Sequence, residues 1–153
     1  PSVPVKGRVT DLETGSPLPG VFIIGDQIGN YSVTPAREEL SANTDGDGYF
    51  RLTGLPLGPN SVFAIRDEGN YLKRRVRYNV TDDNSVILGD FTMAKGIALS
   101  GQVTGAEAGD PIDGVIEYHP AKSNDQFPRG SVASQYRDGS DGRFKMNVSQ
   151  GKS

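Results

Sequence analysis

The 153-residue sequence predicts an all-β sandwich followed by a second, incomplete copy, and three observations lead there. Short apolar or alternating runs recur about every ten residues between Gly, Pro, Asn and Asp clusters, the rhythm of strands and tight turns. No stretch carries the apolar period of a convincing amphipathic helix. Most of Val5–Val21 returns 94 residues later as Leu99–Val115, and Asp47-Gly48-Tyr49-Phe50-Arg51-Leu52 returns at the same spacing as Asp141-Gly142-Arg143-Phe144-Lys145-Met146, so the chain reads as a tandem repeat. Residues 1–95 then form one sandwich and 96–153 a partial second one, whose last strands are absent because the natural chain continues or because another copy supplies them.

Twenty Gly, ten Pro and 35% hydrophobic residues suit many short strands joined by turns, and are too apolar for a disordered tail. A net charge of −3 gives no global attraction to nucleic acid or anionic membrane. The absence of Cys excludes a disulfide framework, a Cys-ligated zinc and a thiol nucleophile. No apolar run reaches the length of a membrane-spanning helix and no signal peptide opens the chain, so no membrane insertion is expected. A start at Pro1 rather than Met reads as a chain trimmed from something longer.

Val3, Val5 and Val9 alternate with Lys6, Arg8 and Thr10, with Gly7 in the inward register, which is a half-buried strand. Glu13–Pro17 makes the turn. Val21-Phe22-Ile23-Ile24, too short for a helix and flanked by Gly20 and Gly25, is a buried strand. From Asp26 to Ser41 the pattern lapses into a long loop with at most one helical turn at Pro35–Leu40. Ala42–Thr44 and Tyr49–Thr53 flank Asp45-Gly46-Asp47-Gly48 as a hairpin with Phe50 and Leu52 inward. Gly54–Pro59 is a crossover, after which Ser61–Arg66, Tyr71–Val80 and Val86–Thr92 are strands. Met93–Gly96 is a link too short to be flexible. The second unit repeats the first strand at Ile97–Thr104, the second at Val115–His119, a long loop at Pro120–Gly130, and the hairpin of Ser131–Arg137 with Arg143–Val148.

Gly7-Arg8-Val9-Thr10-Asp11, Gly15-Ser16-Pro17-Leu18-Pro19-Gly20-Val21, Thr44-Asp45-Gly46-Asp47-Gly48-Tyr49-Phe50 and Leu55-Pro56-Leu57-Gly58 resemble the carboxypeptidase regulatory-like domain. The resemblance implies a seven-stranded Ig-like, prealbumin-like (transthyretin-like) β-sandwich and covers nearly all of the first unit and the visible part of the second. It is unspecific for function, because such modules occur beside metallocarboxypeptidase domains, ahead of outer-membrane receptors and as repeats in large bacterial surface proteins, usually without catalysis of their own. The loops Asp26–Ser41 and Pro120–Gly130 are longer than the connection usual there, and a special surface is expected on them.

Asn43, Asp45 and Asp47 open like a calcium loop, with alternate oxygen ligands and a sharp Gly turn. The twelfth position is Gly54 where a bidentate Glu belongs, and the same residues equally make a hairpin turn; no other cofactor is expected. His119 is the only histidine, so a zinc site of two His and a carboxylate cannot be built. Neither a G-x-S-x-G elbow nor a Ser-His-Asp set is in view, and no enzyme is expected. Lys73, Arg75 and Arg77 share a strand face, with Arg74 out of place on the apolar side. Together with Tyr31 they are the candidate surface for an acidic polysaccharide, or else a solvated charged edge. Asn30, Asn79 and Asn147 head acceptor sequons for N-linked sugar.

The function expected is a non-catalytic structural module: a stalk, spacer or filament segment of a secreted or cell-surface protein. A carbohydrate-binding or adhesive module is the alternative, and an accessory domain of a peptidase the third. The partners expected are neighbouring domains or copies of the same protein joined by strand complementation, with Val3-Pro4-Val5 as donor. Nucleic acid is not among them, given the acidic balance and the lack of a stacking-aromatic motif.

Overall fold

Alternation places Val3, Val5, Gly7 and Val9 of β1 (Ser2–Asp11) in the core and leaves Lys6 in solvent, as a period of two requires. The computed structural model describes residues 2–28, 31–32, 40–81, 86–112, 114–118, 135–137 and 141–149. After β1 come β2 (Phe22–Ile28), β3 (Tyr31–Ser32), β4 (Ser41–Asn43), β5 (Tyr49–Pro56), β6 (Gly58–Ile65), β7 (Arg74–Val80), β8 (Ile87–Leu88) and β9 (Phe91–Met93). Then follow β10 (Ile97–Gln102), β11 (Val115–Glu117), β12 (Gln135–Arg137) and β13 (Arg143–Val148). One sheet has the order β5-β1-β8, with β9 also on β1; a second has the order β3-β2-β6-β7, with β4 on β2. Both contribute to one core that includes Val5, Val9, Ile23, Leu52, Leu55, Val62 and Met93, so the fold is an all-β sandwich. Among the described residues no helix is long and apolar enough to cross a membrane.

The stretch read as a loop from Asp26 to Ser41 holds the end of β2, all of β3 and the first residue of β4, and three further local details differ from the sequence reading, each for a physical reason. The crossover of Gly54–Pro59 shrinks to Leu57, because β5 runs to Pro56 and β6 starts at Gly58. Gly58 takes φ +101°, and the buried Asn60 donates its Nδ2 to the carbonyls of Pro56 and Gly58, both at 2.9 Å, satisfying the backbone of the corner. Val86–Thr92 is not one strand but two short ones, both parallel to β1. Between them the Gly89 N–H donates to Lys6 O at 2.8 Å, and the Arg8 N–H donates to Asp90 Oδ1 at 2.8 Å, so a side chain replaces one carbonyl of the ladder. A Cβ on Gly7 would sit 2.5 Å from Gly89 O, which is why this strand position carries no side chain. Tyr71–Lys73 precede rather than open β7, because Tyr71 and Leu72 turn to the link: Leu72 N–H donates to Ala94 O at 2.9 Å and Gly96 N–H to Asn70 O at 2.8 Å.

Val3 and Val5 are not available as a donor strand. Val3 pairs with Leu55, Val5 with Leu52 and Ile87, and both side chains are buried. Of the expected helical turn only Leu40 is described, buried and close to Gly54; Pro35–Glu39 lie outside the described residues, as do His119 and the loop Pro120–Gly130.

Beyond the link, β10 pairs antiparallel with β13 and β11 with β12. The register repeats that of the first unit 94 residues earlier: Leu99↔Met146 matches Val5↔Leu52, Gly101↔Phe144 matches Gly7↔Phe50, and the bridge Thr104↔Pro111 matches Thr10↔Pro17. The Val103 N–H donates to Gly142 O at 2.8 Å just as Val9 N–H does to Gly48 O. One element has no counterpart: among the described residues nothing pairs with the edge of β10 that on β1 is held by β8 and β9. Val5, Val9 and Val21 are fully buried, whereas Leu99, Val103 and Val115 are 45%, 37% and 55% exposed.

Candidate functional site

The register of β6 with β7 sets Phe63 beside Arg75 and Ser61 beside Arg77. Lys73 Nζ stands 3.9 Å from the centre of the Phe63 ring and the Arg75 guanidinium 4.8 Å from the same ring. Arg75 Nε lies 2.8 Å from Asp26 Oδ2, which also accepts the Ser61 hydroxyl at 2.8 Å. Burial holds the Lys73 ammonium below the ordinary lysine range, with the neighbouring Arg75 charge acting the same way and Asp26 opposing. Two of the three cations are therefore engaged by one ring and one carboxylate. Arg77 is exposed and lines a hollow of about 330 Å³ with Gln27, Asn60, Ser61, Tyr78 and Asn79. Tyr31 pairs with Ile28, in the register row of Asn60 and Tyr78, so β2 and β6 separate it from β7; its side chain lies outside the described residues. Arg74, the residue out of pattern, directs Nη1 to the carbonyl of Thr92 and to Thr92 Oγ1 at 3.1 Å, and its guanidinium lies 5.7 Å from the centre of the Phe91 ring.

A second cluster, to which the sequence analysis gives no role, joins the turn after β1 to the link. Asp11, 3% exposed, accepts the N–H groups of Glu13 at 2.8 Å and Thr14 at 2.9 Å on Oδ1, and the Tyr71 hydroxyl at 2.6 Å on Oδ2, with Lys95 Nζ 3.7 Å away. Burial alone would raise its pKa, but the Tyr71 hydrogen bond, the two amides and the Lys95 charge outweigh it and hold the carboxyl at about 2. Burial and the same hydrogen bond to anionic Asp11 push Tyr71 up to about 12. The signal that could have drawn attention to the site is the exception in the repeat: Asp11 stands where the second unit has Gly105.

Asp45 uses Oδ1 to accept the N–H groups of Asp47 at 3.0 Å and Tyr49 at 2.9 Å, and its carbonyl accepts Gly48 N–H at 3.0 Å. Asn43 and Asp47 are exposed on either side. Thr44, buried between them, carries no role in the sequence pattern beyond its place in the motif, yet its hydroxyl donates to Leu18 O at 2.6 Å and accepts Val21 N–H at 2.8 Å, tying the hairpin to the start of β2. Of the sequon asparagines, Asn79 is exposed on β7, Asn147 donates Nδ2 to the Tyr71 carbonyl at 3.3 Å, and Asn30 lies outside the described residues. Among the described residues no group of three His, Cys, Asp or Glu is placed to hold a metal.

Residues 4–94 match the family model described as the carboxypeptidase regulatory-like domain. No curated protein matches the sequence. Among solved structures, a streptococcal ancillary pilin is 16% identical over 95% of this chain and 50% of its own, with a TM-score of 0.45. The minor pilin GBS52 of Streptococcus agalactiae is 17% identical over 61% and 44%, with a TM-score of 0.43. A chain of a type II cohesin–X-dockerin complex from Acetivibrio cellulolyticus is 23% identical over 61% and 58%, with a TM-score of 0.41. The chain thus spans about half the length of these three.

Proposed function

The chain belongs to the carboxypeptidase regulatory-like domain family, and from that premise we propose that it is a non-catalytic structural module, a spacer of serial sandwiches in a secreted or cell-surface protein. In this reading residues 96–153 are the opening part of a second sandwich of the same kind. The observation that carries it is the recurrence of strand register at 94 residues across a link that is clipped rather than loose. Ala94 and Gly96 are hydrogen-bonded to Leu72 and Asn70, Lys95 reaches Asp11, and Asn147 of β13 reaches the Tyr71 carbonyl. Like units joined through pinned links hold a fixed distance between the two ends of an array, which is what a spacer has to do.

Backbone NMR relaxation on the whole chain tests this. One rotational correlation time shared by β1–β9 and by β10 with β13 is expected; separate tumbling of the two would discard the spacer, and turnover of a peptide or polysaccharide by the purified chain would discard a non-catalytic role. A second reading, a polyanion-binding module, draws on one feature only, the hollow where Arg77 meets Gln27 and Asn79.

A further inference from the structure

We infer that the hollow on the β2-β6-β7 sheet binds an acidic polysaccharide through one uronic acid residue at a time, with the Arg77 guanidinium on the carboxylate and the amides of Gln27 and Asn79 on ring hydroxyls. The inference deepens the second reading above and rests on it, naming the kind of sugar and the number of charges recognised. Strand register builds the site. Gln27, Ser61 and Arg77 stand in one row across three neighbouring strands, and Asn79 follows two residues after Arg77, opposite Pro59. The short Ser61 on the middle strand, between two long side chains, leaves a space of about 330 Å³. That is at the small end of the range for small-molecule sites, about 300–1,000 Å³, and suits a single sugar ring.

The base of the hollow is set before any ligand arrives. Asn60 and Ser61 line it and are both 3% exposed. Asn60 Nδ2 is fixed on the carbonyls of Pro56 and Gly58, and the Ser61 hydroxyl on Asp26. β2 carries one extra residue at this row, since Gly25 pairs with Val62 and Gln27 with Ser61, so Asp26 and Gln27 both stand opposite Ser61. Asp26 meets Ser61 and Arg75, and Gln27 is left to the hollow.

The number of charges selects the ligand. Lys73 and Arg75 are engaged by Phe63 and Asp26, whereas among the described residues Arg77 is in no ion pair. One planar guanidinium matches one carboxylate in a bidentate pair. Gln27 and Asn79 are neutral and exposed, and their amides offer the donors and acceptors that sugar hydroxyls need. The exposed Pro59 adds an apolar wall. A densely sulfated chain or a nucleic-acid backbone calls for a row of free cations, which the described residues of this face do not supply.

The test is a titration of the whole chain, made in a host that adds no sugar to Asn79, with a tetrasaccharide of galacturonic acid and with the neutral methyl ester of the same tetrasaccharide. Shifts of the Gln27, Arg77 and Asn79 amides are expected in NMR spectra. Affinity should fall about tenfold or more for the ester and in Arg77→Ala, and stay within about twofold in Lys73→Ala. Plotted logarithmically against salt, it should fall with a slope no steeper than about −1, the mark of one ionic contact. Equal binding of acid and ester would overturn the inference. If a sulfated tetrasaccharide binds while the galacturonate leaves these three amides unmoved, the uronic acid inference fails and the polyanion reading stands. If neither binds at millimolar concentration, both fail.

Discussion

The hydroxyl of Tyr71 donates a 2.6 Å hydrogen bond to Oδ2 of Asp11, 60 residues earlier, and so fastens the turn after β1 to the strip on which the link lies. Because Asp11 is buried and its carboxyl sits at about 2 rather than 3.8, the bond makes folding depend on pH. A depressed carboxyl contributes stability that is whole above its unfolded pKa and is lost as pH falls through the folded value. Unfolding free energy should therefore drop by about 2 kcal/mol between about pH 4 and about pH 2. Tyr71, raised from 10.0 to about 12, acts at the other end: its contribution is whole below pH 10 and is lost as pH rises through about 12. Urea titrations across both windows check this. Asp11→Asn should flatten the acid limb, and an acid limb left unchanged in that variant would place its origin elsewhere.

Two glycines of one turn should respond differently to alanine. Gly48 has φ +79° and an added Cβ would lie 2.6 Å from Val9 O, so Gly48→Ala should cost about 2 kcal/mol or more. Gly46 meets nothing within 4 Å and has no positive φ, so Gly46→Ala should change stability by less than about 1 kcal/mol. Equal unfolding midpoints for the two variants would contradict the packing of Gly48 beneath β1.

Thr44→Val keeps the shape of a buried side chain and deletes the hydroxyl shared by Leu18 O and Val21 N–H. A loss of about 1–3 kcal/mol is expected, the cost of stranding buried backbone groups. A neutral result in thermal unfolding would mean that water replaces the hydroxyl.

Arg75 and Arg77 sit two residues apart and should behave in opposite ways. Arg75→Ala removes a half-exposed ion pair and a ring contact, so a small destabilisation of up to about 1 kcal/mol is expected. Arg77→Ala should leave the unfolding midpoint alone and lower any retention on a sulfated-polysaccharide column. Retention that depends on Arg75 instead would move the binding face toward Phe63.

Millimolar calcium, the range of extracellular modules, should leave the unfolding midpoint unchanged, because Asp45 already uses one carboxylate oxygen for two turn amides. A rise in midpoint lost in Asp47→Asn would instead assign a cation to this turn.

Local pattern was enough wherever a residue acts through its neighbours in sequence. Alternation at Val3, Val5 and Val9 placed β1, and the paired Phe50 and Leu52 placed β5. What stayed hidden was long-range. Asp90 breaks a strand because Arg8 N–H, 82 residues away, is donated to its carboxylate. Lys73 and Arg75 read as a free basic face until Phe63 and Asp26, on other strands, are set beside them. Asp11, at the end of a recognised motif, carried no site role because its partners Tyr71 and Lys95 are far off in the chain. The correspondence of register at 94 residues was legible because Gly7, Gly15, Gly20 and Gly48 recur as Gly101, Gly109, Gly114 and Gly142, whereas nothing in the local pattern distinguishes buried Val9 from exposed Val103.

The parallel pairing of β1 with β8 and β9 governs how the first unit responds to tension. Its chain enters through β1 and leaves through β9, neighbours that run the same way, so a pull on both ends slides one strand along the other. The rungs around Lys6, Arg8 and Leu12 are then loaded together in shear instead of opening one by one like a zip, and the unit resists stretching until they rupture as a group.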